Sequence, residues 1–283
     1  MPSAVAAAPA AAFAGHPAQD AYARLAEVFP DLRVTLWEAA PPDGDDWLAA
    51  SALAAGGPAL DAFLADEAAR IAAEHGRPAR PDVVASFALH RYAWPVCLLI
   101  TVPWFLHRRV PQLPVQDVRF HRGLGRLAVR TPSFGCLPDD PAAALPGARV
   151  VPDEEALRAE VRAAVADHLR PVLDGFRTRM RRGPRALWGM VSDEIVEGLW
   201  YVGHLLGEEP RAVAELARLL PGATAPYASG AGFRELTGPD GGALPTRDRA
   251  SCCMYYTLRP EDTCVTCPRT CDAERISRLT ATS

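Results

Sequence analysis

The sequence contains no lysine. All 30 basic residues are arginine, spread along the chain, which indicates a GC-rich genome rather than a basic binding stripe. Because 34 acidic residues bring the formal net charge to −4, the basic excess of a nucleic-acid-binding domain is missing. The chain is 49% hydrophobic and 23% charged, which is typical of a soluble globular protein. We therefore expect no nucleic-acid partner.

The sequence also lacks an apolar run long enough to cross a bilayer. The longest, residues 94–106, is shorter than the roughly 20 residues of a transmembrane helix and contains Pro95 and Pro103. The N terminus has no basic segment of the kind found in signal peptides, and its Ala-rich stretch is interrupted by Pro9. We therefore predict a cytoplasmic protein without a membrane span, and peripheral association with the inner face of the membrane stays open.

Hydrolytic and nucleotide-binding signatures are missing as well. No Ser/His/Asp set or pair of carboxylates stands out. Two glycine-rich segments, 123–125 and 230–232, lie in a predicted hairpin and a predicted connector, so neither fits the strand–turn–helix context of a dinucleotide fingerprint. The sequence therefore predicts no dinucleotide site.

Helical periodicity dominates what is present. The apolar spacing predicts helices at 20–29, 47–55, 60–75, 80–106, from 152 onward, 187–206 and 210–219. The 80–106 helix is expected to be buried and kinked or broken at its prolines. Residues 32–37 are predicted to form a short strand and residues 115–130 a β-hairpin, whereas 221–248 are predicted to form a loose connector.

The cysteines are concentrated near the C terminus. Five of seven lie between Cys252 and Cys271; Cys252 and Cys253 are adjacent, and Cys264 and Cys267 form a C-x2-C pair ten residues later. In a reducing compartment such a cluster indicates metal binding. Adjacent cysteines suit the single tetrahedral centre of zinc poorly and a 2Fe–2S cluster better. Zinc, a cubane cluster and a vicinal Cys252–Cys253 disulfide remain alternatives.

The segment 249–256, RASCCMYY, followed after the intervening residues by the CVTCP of 264–268, resembles the C-terminal signature of FhuF-like ferric-siderophore reductases. In that family a C-C-x10-C-x2-C set carries one 2Fe–2S cluster. The resemblance implies that the ligands are Cys252, Cys253, Cys264 and Cys267. The apolar helix 87–106 and the helix start at 187–189 also look similar to the family. Cys271 lies outside the pattern and is interpreted as a spare thiol on a short terminal helix.

The predicted elements and the cysteine cluster together indicate how the chain is organised. We expect an α+β fold, mostly helical, with a small antiparallel β-hairpin or sheet and a short C-terminal iron–sulphur module. Residues 1–18 are predicted to be a disordered Ala/Pro-rich tail, 19–240 a helical α+β siderophore-binding domain, and 241–283 the 2Fe–2S module.

The implied function is one-electron reduction of siderophore-bound Fe(III), which releases the metal because oxygen-donor chelators hold Fe(III) much more tightly than Fe(II). The siderophore is expected to be of the hydroxamate type. The electron donor is expected to be a separate ferredoxin or flavodoxin-type reductase. Catalytic residues beyond the cluster are unknown. The alternatives are a zinc-stabilised binding or regulatory protein and an iron–sulphur redox sensor without substrate turnover.

Other candidates have ordinary structural interpretations. Arg247 and Arg249 are predicted to stabilise thiolate charge, attract an acidic donor or simply be solvated, and Tyr255 and Tyr256 to shield the cluster or pack. Structural roles are predicted for four histidines, His90, His107, His121 and His204. Three aromatic residues are predicted to lie in the core: Trp188, Trp200 and Tyr201. A solvated acidic helix face is predicted for Asp193, Glu194 and Glu197. Cys97 and Cys136 are predicted to be small core residues.

Overall fold

The computed structural model describes residues 15–123 and 125–281. Within them the helices are α1 (Gln19–Val28), α2 (Ala50–Ala55), α3 (Pro58–His75), α4 (Pro81–His107), α5 (Glu154–Phe176), α6 (Pro184–Leu205), α7 (Glu209–Leu219) and α8 (Asp272–Ala281). The strands are β1 (Arg33–Leu36), β2 (Trp47–Ala49), β3 (Val110–Gln112), β4 (Val118–His121), β5 (Arg126–Val129), β6 (Ser133–Cys136), β7 (Ala148–Val150), β8 (Phe233–Thr237) and β9 (Ala243–Arg247). The predicted α+β fold class is confirmed.

The strands form three small sheets. The first has the order β1-β5-β4-β2, in which β1 and β5 are parallel and the other pairs antiparallel. The second has the order β3-β6-β7, and the third is the β8–β9 hairpin. The predicted hairpin at 115–130 is therefore confirmed as β4–β5. The sheets also contain parallel pairs, β1–β5 and β6–β7.

Helix α4 is the centre of the fold. It packs against α1, α3, α5 and α6, and most of its side chains are buried. By length and composition α4 could cross a membrane, but 78% of its most apolar window is buried inside the protein. Such burial is that of a core helix, whose apolar residues face other parts of the same chain on nearly every side.

The prolines inside α4 do not break it. The helix is continuous from Pro81 to His107, contrary to the alternative of a break at Pro95 or Pro103. A proline has no N–H, so Pro103 leaves the carbonyl of Leu99 without its helical donor. The buried Tyr22 hydroxyl on α1 donates to that carbonyl at 2.9 Å. A tertiary hydrogen bond thus replaces the missing backbone one.

Two other predictions of local structure are wrong. Residues 47–49 form strand β2 and not the start of a helix, because Leu48 pairs with Phe120 of β4 and turns into the core. The predicted loose connector 221–248 contains the β8–β9 hairpin, whose strands pair along their full length. This hairpin spans the predicted boundary at residue 241. The proposed division into domains stays a prediction, and the tail predicted at 1–18 lies mostly outside the described residues.

Helix α5 begins as the sequence predicts. The Asp153 carboxylate accepts a hydrogen bond from the Ala156 N–H at 2.8 Å, and Glu154 and Glu155 occupy the first turn, where negative charge is favourable. An apolar stripe along this helix, from Leu157 to Phe176, is buried. The stripe also includes one titratable side chain, His168, which is 1% exposed.

His168 is held as a neutral imidazole in the core. Its Nδ1 lies against the Leu113 carbonyl and therefore donates, so its Nε2, 2.7 Å from the Tyr92 hydroxyl, accepts. Burial lowers the pKa of His168 to about 4, although the hydrogen bond to Leu113 opposes the shift. Because the unfolded chain binds this proton near pH 6.5, the folded state binds fewer protons and loses stability as the pH falls from 6.5 towards 4.

We predict that His168 makes the protein acid-sensitive. Between pH 7 and pH 5 it should remove about 2 kcal/mol of stability, at about 1.4 kcal/mol per pH unit below 6.5. Melting temperatures measured from pH 5 to pH 8 should fall towards acid more steeply in the wild type than in His168→Gln. The exposed His204→Gln serves as control and should keep the wild-type slope. Equal slopes in all three proteins would contradict the assignment.

Candidate iron–sulphur site

The four predicted ligand cysteines come together after the β8–β9 hairpin. Burial raises the pKa of Cys252 and of Cys264, and the neighbouring Cys253 and Cys267 raise both further. The four thiols therefore lie close enough to influence one another's ionisation. All four are free thiols; Cys267 is buried and the other three are partly buried.

The donor set matches a binuclear cluster in number and kind. Among the residues that the structure describes, no three His, Cys, Asp or Glu side chains converge on a point that one metal ion could occupy. A 2Fe–2S cluster takes four thiolates and distributes them over two iron atoms. The four cysteines supply that number of thiolates.

The loop that carries the first two cysteines is anchored by Asp193 on α6. The Asp193 carboxylate accepts hydrogen bonds from the Ala250 N–H at 3.0 Å and the Ser251 N–H at 2.8 Å. It also accepts one from Arg247 Nη2 at 2.6 Å, and both charged side chains are essentially inaccessible to solvent. Burial raises the pKa of Asp193, while Arg247 and Arg249 oppose that shift.

The interpretation of the acidic α6 face as solvated is therefore wrong. Asp193 and Glu194 are 0% and 2% exposed. Asp193 pairs with Arg247, and Glu194 pairs with His90 Nδ1 at 2.8 Å. A buried carboxylate needs such partners because its desolvation is otherwise too costly. Arg247 is likewise buried, which excludes its solvated interpretation.

Two further elements hold the same loop. Arg182, between α5 and α6, donates to the Cys252 carbonyl and to Ser251 Oγ, and the Ser86 hydroxyl on α4 donates to the Cys253 carbonyl at 3.2 Å. On α6, Gly189 lets the loop pass close by, since a Cβ there would lie 3.3 Å from the Cβ of Ala250.

The second cysteine pair sits in a tight turn closed by the Cys267 N–H donating to the Cys264 carbonyl at 3.0 Å. Buried Arg275 of α8 fixes this turn by donating to the carbonyls of Cys267 and Thr270. The same guanidinium donates to the Arg247 carbonyl at 3.2 Å, next to the Asp193 anchor. Both cysteine segments are therefore built on one hydrogen-bonded frame.

Several groups around the thiols would stabilise negative charge on sulphur. The Met254 N–H points at Cys252 Sγ at 3.4 Å, which its left-handed backbone (φ 69°) makes possible. Burial raises the pKa of Cys252, and this amide opposes the shift. Burial also raises the pKa of Cys264 to about 11, against the opposing charge of Arg249. Such thiols are protonated at neutral pH without metal, so metal binding must displace their protons.

Arg249 supplies the nearest positive charge. Burial alone would lower its pKa, but the carboxylates of Asp193 and Glu197 and the nearby Cys253 together raise it. Its guanidinium is held 3.7 Å from Asp193 and stays charged beside the thiols. Of the interpretations offered for Arg249, stabilisation of thiolate charge is the one that its position supports.

A cavity opens directly onto two of the cysteines. It has a volume of about 360 Å³ and is lined by Cys253, Cys264, Arg249, Tyr255, Phe87 and His90, among others. A second cavity of about 450 Å³ shares Phe87 and His90 with the first and continues along α4 to Trp94. Both lie within the roughly 300–1,000 Å³ typical of sites for drug-sized ligands.

The remaining candidates lie where their structural interpretations predict, with two exceptions. Cys97 and Cys136 are buried in the core, and Cys271 is exposed at the start of α8. Tyr255 packs against Phe87 and His75, and Trp188 lies in the core. The exceptions are His90, which lines both cavities, and Tyr201, which is 43% exposed.

Sequence reasoning missed the residues that support the ligand loop from a distance. Ser86, Arg182 and Arg275 act through backbone carbonyls far away in the chain, which no local pattern reveals. The single available signal was the acidic group on α6. Three carboxylates in an otherwise apolar helical stretch are as consistent with buried, paired side chains as with side chains exposed to solvent.

We predict that only four thiols are needed for the cluster. Replacing any of the four predicted ligand cysteines by serine should remove or bleach the visible absorption, because each contributes one corner of the site. Cys271→Ser is the matched control and should leave the absorption and the iron and sulphide content unchanged. Bleaching in Cys271→Ser with retention in one of the four would show that the fourth ligand is wrong.

We predict that Asp193 positions the ligand loop. Asp193→Asn removes the buried charge partner of Arg247 and leaves it only the partly exposed Glu197; breaking a buried ion pair typically costs about 3 kcal/mol or more. Iron and sulphide per chain should fall, and the visible absorption should be lost at a lower denaturant concentration. Asp167→Asn, an exposed aspartate on α5, should match the wild type. If Asp193→Asn retains its cluster as the control does, the anchor is unimportant.

Comparison with known proteins agrees with this geometry. The family described as the FhuF 2Fe-2S C-terminal domain matches residues 249–269, a span that contains all four predicted ligand cysteines. No curated protein matches the chain at a significant level of similarity. The domain description names a 2Fe–2S cluster, which favours that cofactor over the zinc, cubane and vicinal-disulfide alternatives. The chain therefore carries the 2Fe–2S C-terminal domain of FhuF-like proteins.

Proposed function

We propose that this protein is a ferric-siderophore reductase. The observation that carries the proposal is that Cys253 and Cys264 line an open cavity, so that one edge of the cysteine site faces a space accessible to a small molecule. A 2Fe–2S cluster, when bound, supplies single electrons. The chain's own contribution is to bring the substrate to that edge and to shield the opposite edge with protein.

The chemistry of the substrate makes a single electron sufficient. Siderophores hold Fe(III) through hard oxygen donors, and those donors bind Fe(II) far more weakly. One electron transferred to the chelated iron therefore loosens the complex, and no bond of the organic chelator has to break. This reaction needs neither a nucleophile nor a general-base pair, which agrees with the absence of such a set from the sequence.

The charge of the 450 Å³ cavity, which adjoins the cysteine cavity, supports a hydroxamate siderophore. The guanidiniums of Arg70 and Arg91 both bond to the buried Glu67 beneath them, and Asp31 lies on the same wall. The lining is thus close to electrically neutral. Three singly charged hydroxamates neutralise Fe(III), whereas three doubly charged catecholates leave a trianion, which would need unpaired cations.

Packing explains the glycines that could have suggested a nucleotide site. A Cβ at Gly125 would lie 2.0 Å from the Asp31 carbonyl, and one at Gly232 would lie 2.3 Å from the Asp248 carbonyl. Both glycines are therefore accounted for by close backbone approach. We therefore propose a separate electron donor of the ferredoxin or flavodoxin-reductase type, and we propose a cytoplasmic setting for the reaction.

The reductase is tested by substrate-dependent oxidation of the reduced protein. Anaerobic protein reduced with dithionite and freed of excess reductant should regain its oxidised absorption on adding a ferric trihydroxamate. Ferrozine should trap one Fe(II) per cluster oxidised. The gallium(III) chelate, which cannot be reduced in this way, is the control and should leave the cluster reduced.

A redox sensor without substrate turnover predicts a different outcome. In that case ferric chelates of hydroxamate, catecholate and carboxylate types would all leave the reduced cluster unchanged, while oxygen would still oxidise it. That result would reject the reductase. Oxidation by hydroxamates but not by a ferric tricatecholate would support the neutral lining as the basis of selectivity.

A further inference from the structure

We propose that the two adjoining cavities form one binding seat for the ferric chelate, with the metal core beside Cys253 and Cys264 and the organic arms in the aromatic cavity along α4. The inference rests on the proposed reductase function and assigns its substrate to a place. We call the 360 Å³ cavity, proposed for the metal core of the chelate, the core cavity. We call the 450 Å³ cavity, proposed for its organic arms, the arm cavity.

The two cavities share a wall made by one face of α4. Phe87 and His90 line both, whereas Trp94 lines only the arm cavity. Together with Arg91, these residues follow the i, i+3, i+4, i+7 spacing of a single helical stripe. Seven residues of α-helix rise about 10 Å, so the stripe extends the seat by that length away from the cysteines.

The same helix also supports the cysteine loop. Ser86, adjacent to Phe87, donates to the Cys253 carbonyl at 3.2 Å, and the Phe87 ring stacks on Tyr255 at a centroid distance of 6.3 Å. The stripe and the ligand loop are thereby fixed relative to each other. A molecule held against the stripe is also held at a defined distance from the Cys253–Cys264 edge.

The arm cavity suits the organic part of a chelate. Phe29 and Trp94 meet edge to face at 5.7 Å on its wall, and Phe120 and Leu127 add further apolar surface. The polar groups on its wall are few and rigid: Arg91 is fixed between Glu67 and the Arg122 carbonyl. Apolar walls with a few fixed polar groups are typical of small-molecule sites.

The core cavity differs in chemistry. It contains the two cysteines, the charged Arg249 and the imidazole of His90, whose Nδ1 is held by Glu194 at 2.8 Å. Glu194 therefore does not contact the second ring nitrogen of His90. The His90 side chain is 46% exposed. This cavity offers polar contacts for the oxygen donors around the metal, whereas the arm cavity offers apolar ones.

The other large cavities lack this relation to the cysteines. One of about 560 Å³ lies between α3 and the start of α4, and one of about 260 Å³ lies beside the β8–β9 hairpin. Neither is lined by a cysteine. Size alone therefore does not select the seat; the combination of a cysteine edge with a continuous helical wall does.

The seat is tested by binding of a chelate that cannot be reduced. Full-length protein with its cluster would be titrated calorimetrically with the gallium(III) complex of a linear trihydroxamate. Phe87→Trp enlarges the side chain at the junction, and Trp94→Ala removes an aromatic wall. Each should weaken binding at least about tenfold, as expected for central aromatic contacts.

The matched control fills the larger, unrelated cavity. Ala65 is exposed on α3 and lines the 560 Å³ cavity, so Ala65→Trp should bind the gallium chelate within about twofold of the wild type. Unchanged iron, sulphide and visible absorption in all variants would show that binding and not cluster assembly was altered.

The outcomes separate the seat from the function. If ferric chelate oxidises the wild-type cluster but Phe87→Trp and Trp94→Ala bind gallium chelate as tightly as the control, the seat is wrong and the reductase stands. If the chelate binds and both variants weaken it, yet no ferric chelate oxidises the cluster, the seat stands and the reductase is wrong. No binding by the wild type would reject the seat.

Discussion

A buried carboxylate on α6 connects this helix to the β8–β9 hairpin and to the cysteine loop. Asp193 accepts from two amides of the cysteine loop and from Arg247 at the end of β9. Arg247 in turn donates to the Ala231 carbonyl and to Glu197. Helix, hairpin and ligand loop therefore meet at one charged contact. Because both charges are removed from solvent, each depends on the other, and the contact has little freedom to rearrange.

The absence of lysine has a structural counterpart around this contact. Arg77, Arg182 and Arg275 each donate to backbone carbonyls of the C-terminal module, and Arg77 and Arg275 each span more than one carbonyl. A guanidinium presents several donors in a fixed plane, whereas an ammonium group is a single point charge. The module has few regular elements, so these side-chain contacts take the place of the ladders that would otherwise hold its backbone. Arginine is suited to that task.

How much the sequence predicts depends on the range of the interaction concerned. Most of the helices and the clustering of the cysteines follow from local sequence, and they agree with the structure. Strand β2 was missed, since Leu48 acquires its conformation by pairing with the distant Phe120. The β8–β9 hairpin pairs residues close in the chain and was missed because its Gly- and Pro-rich sequence resembles a connector. The burial of Asp193 was missed for the same reason, because its partners lie more than fifty positions away.

The two sides of the cysteine site differ in their exposure to solvent. On one side, Cys252 receives the Met254 amide and lies beside the buried Cys267, whose carbonyl is held by Arg275. On the other side, Cys253 and Cys264 border open space. Hydrogen bonds and burial adjust the electronic properties of a metal centre, while exposure governs what can approach it. The buried side of the site can therefore adjust the electronic properties of a metal centre while the open side admits a ligand. Helix α4, which supports the hydrophobic core, also forms the wall along which a ligand would approach.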